Sequence, residues 1–163
     1  MSRYHMMCAW AAHEHVGFNF ADFQADEAIN PESEYYIKKS CREKIGRTDT
    51  FVLLIGNDTF MKETFVKWEV DVAIEKGCRL IGVNLNNRRF KDWLCPKYFA
   101  DKGAVFVPFS SRIVAEAMKP YGFAPPGPGQ TRDYYFYDQI YTALGYELVG
   151  DTAVLPPPTN NPL

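Results

Sequence analysis

One glutamate in the segment FVKWEVDVAIEK, residues 65–76, stands where a solvated carboxylate does not belong. On a helical wheel advancing about 100° per residue from Phe65, Val66, Trp68, Val70, Val72, Ala73 and Ile74 spread over an apolar arc centred near about 60°. Lys67, Asp71 and Glu75 gather between roughly 200° and 280°, the solvated side. Glu69 falls at about 40°, inside the apolar arc. Removing an ionised carboxylate from water without partners is expensive, so Glu69 must be paired, neutral or open to a pocket. Held in a pocket, it can balance positive charge developing on a substrate. Held as a structural group, it bonds a neighbouring arginine or backbone amides, and the pattern alone divides evenly between the two. Lys76, on the same side, can snorkel from the helix end.

Other residues that could do chemistry are less distinctive. Asn57, Asp58 and Thr59 follow an apolar run and are candidate substrate contacts, although such residues more often turn and cap. Asp22 and Asp26 read as solvated loop residues rather than gating groups. Trp68, at the margin of the arc, reads as packing or an inter-subunit contact. Asn84 and Asn86 end a strand at the expected crevice. The four cysteines, Cys8, Cys41, Cys78 and Cys95, form no C-x-x-C pair and read as reduced thiols of a cytosolic protein. Zinc held by Cys8 with His5, His13 and His15 is disfavoured, because a helix would point His13 and His15 about 200° apart. No metal site is expected.

The elements that must position these groups alternate. Residues 3–14 predict a helix, VGFNF at 16–20 a short strand, and 21–30 a polar loop. A second helix opens at Asn30-Pro31, buries Ile37, Cys41 and Ile45, and stops at Gly46. FVLLIG at 51–56 is a continuous apolar run, as in a strand covered on both faces. A helix over 62–76, closed by Gly77, is followed by strands RLIGVNL at 79–85 and AVFVPF at 104–109, then a helix over 111–119. This order predicts a three-layer α/β fold, a parallel sheet with helices on both faces, whose crevice lies at the carboxyl ends of the strands.

Residues 1–119 therefore read as one α/β domain and 120–130 (PYGFAPPGPGQ) as a Pro/Gly-rich linker. Residues 131–155 form an aromatic C-terminal extension, read as a helix and then a strand, with a weak hairpin of YELV onto TAVL. Residues 156–163 are expected to be a disordered tail. The whole chain has 163 residues, 47% of them hydrophobic and 23% charged, which fits a single globular core. A net charge of -2 gives no basic footprint, so neither nucleic acid nor an anionic membrane is an expected partner. No apolar run approaches the ~20 residues needed to span a bilayer, and MSRYHMMCAWAAHEH is no secretory signal. The protein is expected in the cytoplasm.

The succession FVLLIG-x-x-T, FVKWEV-x-VAIE, LIGVNLN and a terminal VPF resembles the TIR-like domain of the Thoeris anti-phage defence family. Upstream, the AW-bearing first helix, the FNF strand, the acidic loop and KIGRTDTFVLLIG match as well, so the resemblance spans about residues 4–119. It implies a flavodoxin-like, TIR-like fold and cleavage of the nicotinamide–ribose bond of NAD. The implied product is a cyclic ADP-ribose isomer that activates a separate effector protein. NAD is then a substrate and no cofactor is needed. The resemblance places the catalytic glutamate at Glu69 and a helix-packing aromatic at Phe65. It also implies self-association and a phage-derived trigger.

Family members open with a strand before the first helix, and that strand is missing or replaced here. Three explanations are open: a native start upstream of Met1, which we favour, a gap filled by YELV/TAVL, or a degenerate TIR-like fold. Two further function classes stand beside the enzyme. The first is a non-enzymatic TIR-like interaction or sensor module, indifferent to Glu69→Gln. The second is a nucleotide- or flavin-binding sheet protein, which the absence of any G-x-G-x-x-G or P-loop disfavours. Receiver-type phosphotransfer is disfavoured too, since its acidic cluster needs the missing strand.

Overall fold

A computed structural model describes residues 48–57, 59, 63–119 and 132–148, together with Met6, Tyr35, Lys39, Arg42, Glu43, Ile45 and Gly46. The regular elements are β1 (Thr50–Ile55), α1 (Glu63–Glu75), β2 (Arg79–Asn84), β3 (Val105–Pro108), α2 (Ser111–Met118), β4 (Tyr134–Tyr135) and α3 (Asp138–Ala143). The described residues between Tyr35 and Ile45 are helical as well, as is Met6. The strands lie in the order β1-β2-β3-β4, and every pair is parallel.

Parallel strands need covering on both faces, and alternation along each strand supplies two cores. One face carries Leu53, Ile55, Leu80 and Phe106 and receives α1 through Val70, Val72 and Ala73, with Ile45 from the preceding helical segment. The other carries Ile81, Val83, Val105 and Val107 and receives α2 through Ile113, Val114 and Ala117, with Met6 packed against it. This doubly covered parallel sheet is the three-layer α/β arrangement that the alternation predicts, and it is consistent with the flavodoxin-like fold that the resemblance implies.

A close approach is built into the first of these faces. A Cβ on Gly82 would lie 2.9 Å from Phe106 Cδ1 and 3.0 Å from Phe99 Cε1, and those two rings meet edge-on at 5.9 Å. Gly82→Val is expected to overpack this slot and destabilise the protein by about 1–3 kcal/mol. A thermal melt checks it; an unchanged midpoint would mean the rings have room to retreat.

The C-terminal residues depart from expectation. They run strand then helix, not helix then strand. Tyr134 and Tyr135 alternate in facing, one toward each core, and Phe136 follows the alternation. That period of two belongs to a strand, and β3 offers the edge: Tyr134 N donates to Ala104 O at 2.8 Å. The short α3 then starts at Asp138, with Tyr141 1% exposed and Phe136 5% exposed in the α2-side core. Of YELV, Tyr146, Glu147 and Leu148 are not extended into a strand, while TAVL and the residues 156–163 lie outside the described residues.

Candidate functional site

Among the described residues, the exits of β1, β2, β3 and β4 lie at the carboxyl edge of the sheet. After β1, Gly56 and Thr59 close a turn in which Thr59 N donates to Gly56 O at 3.1 Å. Thr59 Oγ1 accepts from Gly56 N at 2.8 Å and donates to Leu54 O at 2.9 Å. The hydroxyl is thus engaged in holding the turn, the bland role that such residues commonly have. Asn57 is exposed beside it, and Asp58 lies outside the described residues.

The helix that follows this turn carries Glu69. Its wheel is as predicted: Lys67, Asp71 and Glu75 are exposed, whereas Val70, Val72 and Ala73 are buried. Lys67 Nζ bonds Asp71 Oδ2 at 2.7 Å on the water side, and Glu75 lies 3.6 Å from Arg42. Glu69 is half-buried, and Val72 and Ala73, three and four positions on, share its side of the helix. Glu69 is the seventh of 13 helical residues, so it sits about 9 Å along the axis from the first. That is beyond the first turn, where helix polarity acts most strongly on a charge. Trp68 and Val66 pack partly buried against the same core. Phe65 is helical, its side chain outside the described residues.

After β2 the chain makes a tight polar loop. Asn84 is 1% exposed, and its Nδ2 donates to Arg88 O and Phe90 O, both at 2.9 Å. Asn86 Nδ2 donates to Asp92 Oδ2 at 2.6 Å and its Oδ1 accepts from Arg88 N at 3.2 Å. Both asparagines therefore shape the loop. After β3, Ser110 begins α2 without a side-chain cap.

Side chains that sequence reasoning passed over fasten the C-terminal segment to the loop that follows β2. The Arg89 guanidinium, in a residue only 7% exposed, bonds Asp138 Oδ1 at 2.5 Å. It also stacks 5.1 Å over the Phe90 ring and 5.2 Å over that of Tyr141. Lys91 Nζ bonds Asp101 Oδ1 at 2.7 Å and the buried Asp133 Oδ2 at 2.8 Å. Tyr146 OH adds a bond to Asn87 O at 3.2 Å. Asp101 is ten positions from Lys91, but nothing in a window of a dozen residues signals the pairings with Asp138, Asp133 and Tyr146, which span 42 to 59 positions.

Cys95 is half-buried beside this cluster, and burial, aided by the Asp133 charge, pushes its thiol up to about 12. Burial raises Cys78 too. Neither is a ready thiolate, so neither is poised as a nucleophile. Among the described residues no group of three or more His, Cys, Asp and Glu could hold a metal ion. His5, Cys8, His13, His15, Asp22 and Asp26 lie outside them. No helix among the described residues is long and apolar enough to cross a membrane.

Residues 1–89, just over half of the chain, match the family described as Thoeris protein ThsB, TIR-like domain. The matched region includes the turn after β1, all of α1 with Glu69, and the β2 exit as far as Arg89. No curated protein matches the chain.

Proposed function

The chain belongs to the ThsB TIR-like domain family of Thoeris anti-phage defence, and from that premise we propose that it is an NAD-cleaving signal generator with Glu69 as its catalytic carboxylate. The observation that carries this reading is the half-buried position of Glu69 on the packed side of α1, next to the buried Val72 and Ala73. A lone carboxylate suffices for this reaction. Nicotinamide leaves a pyridinium as a neutral molecule, so the leaving group needs no general acid, unlike the alcohol of an ordinary glycoside. What remains is to hold the ribose and to balance the positive charge that develops on the sugar ring. A carboxylate beside apolar side chains, where screening by water is weak, does this electrostatically.

Asn57, Asp58 and Thr59 are placed by this reading at the mouth of the same crevice as substrate contacts, Thr59 through its turn and Asn57 through its exposed amide. Capture of the sugar by the adenine end of the same molecule, ahead of water, gives a cyclic ADP-ribose-type product. That nucleotide would act on a separate effector after a phage-derived trigger, with self-association completing the site. The test is mass spectrometry of NAD incubated with the protein, wild type beside Glu69→Gln, with and without lysate of infected cells. Nicotinamide and a cyclic nucleotide from the wild type alone are expected. Silence from a folded wild type in every condition would sink the enzymatic reading in favour of a binding or sensor module.

A further inference from the structure

Asn84 ends β2 in the middle of the carboxyl edge, in register with Ile55 at the end of β1 and Pro108 at the end of β3. Asn84 and Arg89 are the buried polar or charged residues among those described. The Asn84 side chain donates both amide hydrogens to the loop carbonyls of Arg88 and Phe90. Its main-chain oxygen accepts from Asn87 N and Phe109 N, each at 3.1 Å. Its Oδ1 is buried without a hydrogen-bond partner, so the amide is retained at a cost in unsatisfied polarity. An apolar residue there would release both carbonyls, and an aspartate would set acceptor against acceptor.

Leu85 carries this constraint across to β1. Its N–H donates to Ile55 O at 2.9 Å, and its Cδ1 stands 3.0 Å from where a Cβ on Gly56 would sit. Gly56 opens the turn that presents Asn57 and Thr59, and its own N–H is held by the Thr59 hydroxyl. A Cβ at this point would crowd the Leu85 side chain of the neighbouring exit, which would have to give way by a few tenths of an ångström. The glycine, the leucine and the buried asparagine therefore form one contact chain between two exits of the sheet.

We propose that Asn84 is a positioning residue of the crevice: by fixing the course of residues 85–90 it seats Leu85 against Gly56. It thereby sets where the Asn57–Thr59 turn stands relative to the helix of Glu69. In its consequence for substrate this rests on the crevice being the NAD site, so the test has one arm that needs no turnover.

In the kinetic arm, Asn84→Ser and Gly56→Ala are each expected to raise KM for NAD about tenfold while kcat stays within about twofold, because Glu69 is untouched. Adding Leu85→Ala to Gly56→Ala gives the new methyl room and is expected to restore KM, a non-additivity that separate structural defects would not show. Gly56→Ala leaves the Asn84 bonds in place and carries the kinetic test alone if Asn84→Ser fails to fold.

In the second arm, native-state amide hydrogen exchange of Asn84→Ser is expected to show about tenfold loss of protection at Gly56 and Thr59, with Ile81 and Val83 unchanged. Unchanged exchange at Gly56 and Thr59 overturns the proposal. So does a fall of kcat at constant KM in both single variants. A wild type that turns over no NAD defeats the enzymatic reading alone, and loss of protection at Gly56 and Thr59 then still upholds the positioning role.

Discussion

Glu69→Gln is expected to lower nicotinamide release from NAD by about 10²–10³ while leaving the melting temperature largely unchanged. The first half follows from the role proposed for the charge: removing one preorganised electrostatic partner of a transition state typically has that effect. The second follows from position. Glu69 is only half-buried on the side of α1 that carries Val72 and Ala73, and an amide oxygen can still accept a hydrogen bond there. The isosteric amide keeps the shape and drops the charge. Asp71→Asn is the matched control, because Asp71 is exposed and its pair with Lys67 faces water; it should change neither rate nor stability appreciably. Steady-state turnover and a thermal melt on the same preparations decide the matter. A Glu69→Gln protein that stays active within tenfold, or that no longer folds, would make Glu69 a structural carboxylate.

The largest effect on stability is expected from Lys91→Met. The ammonium bridges Asp101 and Asp133, and the Asp133 side chain is only 2% exposed. Removing it leaves a buried carboxylate facing no cation, a loss of about 3–5 kcal/mol, which lowers the midpoint by roughly 10 °C. Adding Asp133→Asn should recover much of that, since the stranded charge goes too. A melt of Lys91→Met within a degree or two of wild type would show that water reaches Asp133.

Burial by itself would lower the pKa of Lys91, but its hydrogen bonds to Asp101 and Asp133 prevail and raise it above the ordinary lysine value. The same bond holds Asp101 below the usual carboxylate range. A raised lysine contributes stability that is full below its ordinary value and is lost as alkali deprotonates it. A depressed carboxylate contributes stability present above its ordinary value and lost in acid. The Lys91–Asp101 bond should therefore hold across neutral pH and weaken below about pH 4, read as early loss of protection at the Asp101 amide.

Helix α1 was legible because its period is local: Lys67, Asp71 and Glu75 face water and Val72 and Ala73 do not, so Glu69 stood out from spacing alone. The strands FVLLIG and RLIGVNL were legible for the same reason, as unbroken apolar runs in a doubly covered sheet. The C-terminal pairing was not. A strand of two residues leaves almost no pattern, and Tyr134 becomes a strand residue only because β3 offers it an edge. Arg89 and Lys91 carry no distinguishing local pattern, because their partners Asp138 and Asp133 lie 49 and 42 positions along the chain. Asn84 could be placed at the crevice, but its two carbonyl partners depend on how residues 86–90 fold back. Composition says nothing about that path.

The insertion of Phe136 and Tyr141 into the α2-side core has a consequence for biosynthesis. At roughly 5–20 residues per second, the 29 residues from Pro120 to Leu148 take about 1.5–6 s to polymerise. Through that interval Phe109, Ile113 and Val114 have been made while two of the aromatic side chains that pack with them have not. The nascent chain thus passes through a stage in which this face is covered by α2 but lacks Phe136 and Tyr141, a natural substrate for chaperones that bind at the ribosome. Slowing translation across 120–148 should lower the soluble yield more than the same delay placed after residue 148.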